Sequence, residues 1–287
     1  MELDNRIRTS GSREVTMNAT SVRHPAVAGQ FYPISPQKLR LEIDSFTENQ
    51  KETFRAKGCV IPHAGYMYSG HVAGAVYGRL ELPHRYIILC PNHTGLGTPL
   101  SIMSEGEWET PLGNVPIDRE LASELKAKVP LLNEDSEAHR REHATEVQLP
   151  FLQARLRDFS FVPIAIGTGC FDALSLLGEV IGQVIATQAE PVLIIASSDM
   201  NHYESDAVTR QKDAHAIKQM LALEPKGLYN VVNQENITMC GYGPTVAMLT
   251  AVRHLGATKA ELIRYATSGD ISGDRDTVVG YAGIVVV

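Results

Sequence analysis

The chain has 287 residues, of which 44% are hydrophobic and 21% are charged, and its formal net charge is −7. This composition is that of an ordinary globular protein. The negative charge and the lack of a long basic run argue against nucleic acid as the main partner. No apolar stretch reaches the roughly 18 residues that a membrane-spanning helix needs, so a membrane partner is not expected. The N-terminus lacks the apolar core of a signal peptide, so we expect a cytoplasmic protein.

The predicted elements begin after a polar, aperiodic segment at residues 1–20, which we expect to be a mobile tail. Residues 22–33 are mixed apolar and are predicted to form an edge strand or an extended arm. Ser35 and Pro36 then begin a helix, with the serine as N-cap and the proline at the first helical position. A single domain is expected to fill residues 21–287, because no break in composition and no internal repeat divides it.

The rest of the chain alternates between short β-branched runs and longer amphipathic segments, with a hairpin or loop expected at residues 108–115. We predict strands at residues 59–61, 86–90, 100–103, 161–167, 192–196, 260–266 and 278–287 and helices at residues 72–80, 118–129, 145–156, 171–185, 208–223, 225–232 and 245–255. Such alternation is typical of α/β proteins. We therefore predict an α/β fold with a central mixed sheet, helices on both faces, and a deep pocket at the strand ends.

Two histidines lie just beyond predicted strands, each bracketed by proline and glycine. His63 follows the strand at residues 59–61, and His93 follows the strand at residues 86–90. Ligands of open α/β sheets bind beyond the carboxyl ends of the strands, so we expect the two imidazoles to converge on one site as metal ligands. The other isolated histidines are expected to be ordinary surface or hydrogen-bonded residues: His24, His84, His215 and His254.

A competing zinc motif occurs at residues 139–143, where the run HRREH fits the H-x-x-E-H pattern of inverzincin peptidases. On a helix, His139 and His143 would share one face. This pattern gives no role to His63 or His93, so we rank a zinc peptidase below a site built on those two residues. We expect His139 and Glu142 to be surface residues of a charged segment.

Two further groups could carry chemistry. Asp199 precedes His202 by three residues just past the strand at residues 192–196, where a carboxylate can brace an imidazole; the alternative is a helix-capping Asp beside an unrelated His. Cys240 lies in a glycine-rich turn before a predicted helix, whose N-terminus favours a thiolate that could act as a ligand or reactive group. An inert, partly buried thiol is the alternative.

The other cysteines suggest no disulfide framework, because none forms a Cys-x-x-Cys pair and no secretion signal is expected. Cys59 and Cys90 lie within apolar runs and are predicted to be buried in the core.

Six segments, in this order, closely resemble the Memo family: VRHPAVAGQFYP, IPHAGYMYSG, PNHTG, EHATEVQLPFL, SSDMNHY and CGYGP. That family includes animal cell-motility mediators and the bacterial and archaeal sequences called AmmeMemoRadiSam system protein B. The resemblance spans nearly all of residues 22–287. It implies a fold similar to the catalytic subunit of LigB-type extradiol dioxygenases, which are non-haem iron enzymes.

The resemblance also implies a set of site residues. The metal-site positions of the family correspond to His63, His93 and Cys240, and the same pocket is expected to contain His143, Asp199 and His202. In the dioxygenases the third ligand is a carboxylate, and a histidine similar to His202 is the acid/base. Cys240 is therefore usual for a Memo protein and unusual for a dioxygenase.

Two functions follow from this resemblance. The first is an oxidoreductase-like enzyme that uses one metal ion, with Fe(II) favoured over copper or zinc, on an unknown small substrate. AMMECR-type and radical-SAM proteins are its implied partners. The second is a non-catalytic module that binds a peptide or phosphopeptide in the same pocket, since animal Memo proteins are described as binding phosphotyrosine peptides.

Overall fold

The computed structural model describes residues 21–47 and 52–287, and the tail expected at residues 1–20 lies outside the described residues. The strands are β1 (Val22–Arg23), β2 (Gly58–Ile61), β3 (Arg85–Pro91), β4 (Leu100–Ile102), β5 (Glu107–Thr110), β6 (Gly113–Pro116), β7 (Asn133–Glu134), β8 (Ser160–Ile166), β9 (Val192–Ser197), β10 (His202–Glu204), β11 (Ala260–Thr267) and β12 (Val278–Val286). The α-helices are α1 (Pro36–Phe46), α2 (Tyr66–Tyr77), α3 (Arg119–Lys128), α4 (Glu137–Arg140), α5 (Leu149–Arg155), α6 (Phe171–Ala186), α7 (Asp206–Leu221), α8 (Pro225–Gln234), α9 (Tyr242–His254) and α10 (Gly269–Ser272), and a 3₁₀ turn spans Glu146–Gln148.

The main sheet has the strand order β10-β12-β2-β9-β3-β8-β4-β7, and β11 also pairs with β12. The four central strands, β2, β9, β3 and β8, are parallel to one another. The flanking strands β12 and β4 run antiparallel to them. The sheet is therefore mixed, as predicted. A separate small sheet joins β1 to the β5–β6 hairpin, so the N-terminal segment contributes an edge strand.

Helices cover both faces of the sheet. Gly58 of β2 faces α9, because a Cβ placed on it would lie 2.7 Å from the sulfur of Met248. Gly58 pairs with Val286 of β12. Gly283 is three positions from Val286 and therefore points to the opposite face, where a Cβ would lie 2.5 Å from Val76 of α2. The predicted α/β domain with helices on both faces is confirmed.

Helix α2 begins at Tyr66, six positions before the predicted start at residue 72. The glycines in its first half suggested a loop, but they allow close packing against α1. A Cβ on Gly70 would lie 2.4 Å from the ring of Phe46, and a Cβ on Gly74 would lie 2.5 Å from the Phe46 carbonyl oxygen. The packing of α1 on α2 therefore requires the residues that make the isolated segment a poor helix former.

The parallel centre of the sheet gathers three loops at one edge. Strand β9 lies between β2 and β3, and its six residues are all buried. His63 follows the end of β2 by two residues, and His93 and Asp199 follow the ends of β3 and β9 by the same spacing. Parallel neighbours end at the same edge of a sheet, so these side chains meet there. None of the helices in the described ranges is long and apolar enough to cross a membrane.

Candidate functional site

A pocket of about 710 Å³ opens at this edge of the sheet. It is lined by all six residues that the sequence assigned to one site: His63, His93, His143, Asp199, His202 and Cys240. They come from the loops after β2, β3 and β9, from the start of β10, from the segment after α4, and from the turn before α9.

His63 is buried and held as a neutral imidazole. Its Nδ1 lies 3.0 Å from Oγ of Ser197, and that hydroxyl donates its own proton to the carbonyl of Ala144 at 2.7 Å. The Nδ1–H of His63 must therefore be the donor to Ser197, which leaves an Nε2 lone pair facing the pocket. Burial, reinforced by the neighbouring His93, lowers the pKa of His63 to about 3.

His93 is oriented by a buried carboxylate. Glu142 accepts the backbone N–H of His93 at 2.7 Å through one oxygen and faces Nδ1 of the ring at 2.9 Å through the other. Burial alone would lower the pKa of His93, but the bond to Glu142 and its charge outweigh this and raise it. Burial would in turn raise the pKa of Glu142, yet the imidazoles of His93 and His143 hold it at about 2.

His143 completes a cluster of three imidazoles. Its ring stacks on His93 with centroids 4.7 Å apart and meets His63 edge-on at 5.4 Å. Burial and the charge of the neighbouring His63 lower the pKa of His143 to about 4. One ligand nitrogen from each of the three rings lies within 4.8 Å of the other two.

Cys240 stands beside this cluster, with its sulfur 3.2 Å from Nε2 of His63. It lies two residues before the first residue of α9, whose N-cap is Gly241. Burial, together with the negative charge of Asp199, raises the pKa of the thiol well above its ordinary value. The expected thiolate is thus not favoured by the protein groups alone and needs a cation beside the sulfur.

Asp199 braces His63 rather than His202. Its Oδ1 accepts the backbone N–H of His63 at 2.8 Å, and its Oδ2 lies 4.0 Å from the His63 Nε2. His202 is instead held by Thr238, whose carbonyl lies 2.8 Å from Nδ1 of His202 and accepts its proton. That bond leaves Nε2 of His202 as the ring nitrogen available to a ligand in the pocket.

The donor set fits a metal ion. His63 presents an unprotonated ring nitrogen, and Glu142 bonds the opposite nitrogen of His93 in the carboxylate–histidine arrangement common in metal proteins. Imidazoles suit iron, copper and zinc, and the thiol of Cys240 adds a softer donor. The residues that could hold such an ion are His63, His93, His143 and Cys240.

The expectation that His139 and Glu142 are surface residues is wrong, since both are fully buried. Helix α4 ends at Arg140, so His139 and His143 do not share a helical face. His139 packs edge-on against the ring of Trp108 at 5.8 Å, whereas His143 lines the pocket. The H-x-x-E-H pattern therefore does not form a zinc site here.

A buried arginine explains how this charged segment enters the core. Arg23 donates to the carbonyls of His139 at 3.1 Å and of Glu142 at 2.7 Å, and it forms an ion pair with Glu146. The carboxylate of Glu146 also accepts the hydroxyl of Tyr32 at 2.6 Å. The partners are more than 100 residues apart in sequence, so the local pattern of residues 133–142 contains no sign of them.

The N-terminal segment also supplies pocket residues that sequence reasoning missed. Phe31 packs edge-on against His143 with ring centroids 4.8 Å apart, and Gln30 lies beside it in the lining. Both belong to the VRHPAVAGQFYP segment, which was part of the family resemblance but was interpreted only as an arm. Aromatic side chains from α2, β10 and β12 complete the wall: Tyr68, Tyr203 and Tyr281.

Comparisons with known proteins identify the family of the chain. The family of Memo-like proteins matches residues 23–285. The chain belongs to the Memo family. It is 44% identical over 267 residues to a MEMO1 family protein of Methanosarcina barkeri, an alignment that covers 92% of this chain and 100% of the relative. It is 41% identical over 280 residues to a MEMO1 family protein of Sulfolobus acidocaldarius, covering 92% of this chain and 98% of the relative.

A solved structure shares the fold of this Memo protein. The uncharacterized protein JW3007 from Escherichia coli superposes with a TM-score of 0.56 at 12% identity, covering 80% of this chain and 100% of the other. At that identity the likeness is one of fold alone.

Proposed function

We propose that this Memo protein binds one metal ion, most favourably Fe(II), in the histidine pocket and acts as an oxidoreductase-like enzyme on a small substrate. The observation that carries the proposal is the convergence of three imidazoles, with one ligand nitrogen of each within 4.8 Å of the others, at the carboxyl edge of the sheet. In this proposal His63 and His93 are both metal ligands. Cys240 and His143 are the candidates for the remaining protein donors.

Iron is favoured because the chain resembles proteins similar in fold to non-haem iron dioxygenases. Imidazole donors also suit copper and zinc, so the metal must be identified by measurement. Iron bound here would supply redox chemistry and a place to bind dioxygen. The protein would keep His63 and His143 neutral by burial and orient His93 through Glu142.

His202 is the proposed acid/base. Its Nδ1–H is committed to the Thr238 carbonyl, so a proton can be taken or given only at Nε2. Thr238 also accepts the backbone N–H of His202 at 2.7 Å through its hydroxyl, which fixes the residue on both sides. Asp199 accepts the backbone N–H of His63 and would thereby fix the position of the loop after β9 relative to the loop after β2.

The proposal is tested by purifying the protein anaerobically and measuring its iron, copper and zinc content. We expect about one Fe(II) per chain, because one cluster of donors can hold one ion. Addition of nitric oxide should then give the electron paramagnetic resonance signal of an iron–nitrosyl, because three or four protein donors leave positions open. The proposal of an iron-dependent oxidoreductase would be contradicted if the protein bound no metal under argon, or if its bound iron did not react with nitric oxide.

A peptide-binding module is the second candidate, and one feature of the pocket favours it. Phe31, Tyr68, Tyr203 and Tyr281 give the pocket an aromatic wall, and the side chain of Tyr203 is 75% exposed. Such a wall suits the side chain of a bound peptide as well as a small substrate. A metal-free pocket that binds a tyrosine-containing peptide would favour this candidate.

We further propose a cytoplasmic location, and the family resemblance leads us to propose interaction with AMMECR-type and radical-SAM proteins. The proposed interaction is tested by purifying a tagged form of the chain from its own cells and asking whether such proteins co-purify with it. Recovery of the chain alone would count against them.

A further inference from the structure

We propose that a second cavity in this protein binds a small molecule through a diphosphate or polyphosphate group. The cavity has a volume of about 680 Å³ and lies between α1, β6, the end of α5 and the turn that leads into β8. None of its lining residues also lines the histidine pocket. The volume falls within the range usual for small-molecule sites.

The charged residues that line this cavity are three arginines and one aspartate. Arg40 comes from α1, Arg155 from the last turn of α5, and Arg157 and Asp158 from the turn that follows. Across residues 21–47 and 52–287, the guanidinium groups of these arginines form no ion pair and no hydrogen bond. Their charges are therefore not neutralised by the protein.

This concentration of unpaired cations is unusual for the chain. Acidic residues outnumber Lys and Arg by 33 to 26, so carboxylate partners are not scarce. Eight arginines elsewhere in the described ranges form ion pairs, whereas Arg55 and Arg141 form none; the paired ones are Arg23, Arg79, Arg85, Arg119, Arg140, Arg210, Arg253 and Arg275. Three guanidinium groups left together in one concavity repel one another, and a bound anion would relieve that repulsion.

The residue type points to phosphate. The planar guanidinium group donates two parallel hydrogen bonds to phosphate oxygens, which lysine cannot do. The arginines come from separate elements, so a ligand that contacts all three must present several oxygens spread over more than one phosphate. Leu112, Val115 and Leu156 also line the cavity and offer an apolar surface to the remainder of such a molecule.

The experiment is a calorimetric titration of the full chain with pyrophosphate at low ionic strength, followed by inorganic phosphate and citrate. We expect one saturable pyrophosphate site, with inorganic phosphate and citrate each at least roughly tenfold weaker. Arg155→Ala and Arg157→Ala should each weaken binding by about tenfold or more, the loss typical of a hydrogen bond to a charged group. Arg155→Lys should fall between the parent and Arg155→Ala, because it keeps the charge and loses the paired bonds.

Two further variants sharpen the test. Asp158→Asn should tighten binding, because it removes the one carboxylate that repels the anion. Arg119→Ala is the matched control: it removes an exposed arginine paired with Glu105 outside the cavity and should leave binding unchanged. Circular dichroism confirms that each variant is folded. The proposal is overturned by no saturable binding of pyrophosphate, by equal losses in Arg119→Ala and Arg155→Ala, or by citrate or inorganic phosphate binding as tightly as pyrophosphate.

Discussion

The buried carboxylate of Glu142 pairs with the partly exposed imidazole of His93, and Oε1 of the glutamate lies 2.9 Å from Nδ1 of the ring. The second carboxylate oxygen accepts the backbone N–H of His93 at 2.7 Å, so one side chain fixes both the loop and the orientation of its ring. Nε2 of His93 is thereby directed away from Glu142, and the imidazole is made more basic.

The first prediction is that Glu142→Gln weakens Fe(II) binding by roughly 10- to 100-fold, the usual loss when a partner of a metal-bound histidine is removed. An amide keeps the size of the side chain but loses the charge that Nδ1 faces. The measurement is an anaerobic metal titration. Glu137→Gln is the control, since Glu137 is exposed and pairs with Arg140. Equal affinity of the parent and Glu142→Gln would show that the pair does not support a metal site.

The second prediction concerns His139, the other buried residue of the same segment. His139→Leu should leave metal affinity unchanged, because His139 packs against Trp108 and does not line the histidine pocket. Neither ring nitrogen of His139 is well satisfied by hydrogen bonds among the described residues, so an apolar side chain of similar size should cost little stability. Loss of metal in His139→Leu would restore the zinc-peptidase interpretation.

The burial of this segment marks the limit of what the sequence could predict. Strands β3 and β9 were predicted because continuous β-branched runs reflect burial on both faces. His63 and His93 were placed together because parallel strands end at one edge. The position of Glu142 depends on Arg23, which enters the core from the far end of the chain. Interactions between residues so far apart in sequence leave no local pattern. A run of charged residues taken alone therefore suggests a solvent-exposed segment.

The third prediction is that the metal-free protein loses stability as the pH falls from about 7 to 5. Burial lowers the pKa values of His63, His139 and His143 to about 3, 4 and 4. As the pH falls through about 6.5, these histidines bind protons in the unfolded chain but stay neutral in the folded chain. The free energy of unfolding therefore decreases as the pH decreases. The lowered pKa of His71 acts in the same direction. The raised pKa values of His93, Asp199 and Asp213, the last at about 7, act in the opposite direction, and we expect the buried histidines to outweigh them.

Urea unfolding at pH 7, 6 and 5 measures this dependence. In His139→Leu the change in unfolding free energy should be smaller by up to about 1.4 kcal/mol per pH unit, the value of one proton. The depressed pKa of Glu142, about 2, adds a loss of stability only below pH 4.5, outside this window. The same change in unfolding free energy between pH 7 and 5 in His139→Leu and in the parent would contradict the neutral, buried state of His139.

The fourth prediction separates Cys240 from the core cysteines. Cys240→Ala should weaken Fe(II) binding at least roughly tenfold, because its sulfur lies 3.2 Å from the His63 ring nitrogen and a bound cation would favour the thiolate. Cys59→Ala and Cys90→Ala should bind the metal as the parent does, since both cysteines are buried in the core. Unchanged affinity in Cys240→Ala would reduce the protein donors to the three histidines.

The most direct test of the metal centre is an Fe(II) titration under argon of the parent, His93→Ala and His215→Ala. His93 lines the pocket with its side chain 32% exposed, whereas His215 lies outside the pocket on α7 and pairs with Glu235. We predict about one ion bound per chain in the parent and in His215→Ala, and affinity reduced at least roughly tenfold in His93→Ala. A His93→Ala protein that binds Fe(II) as tightly as the parent would contradict a metal centre in this pocket.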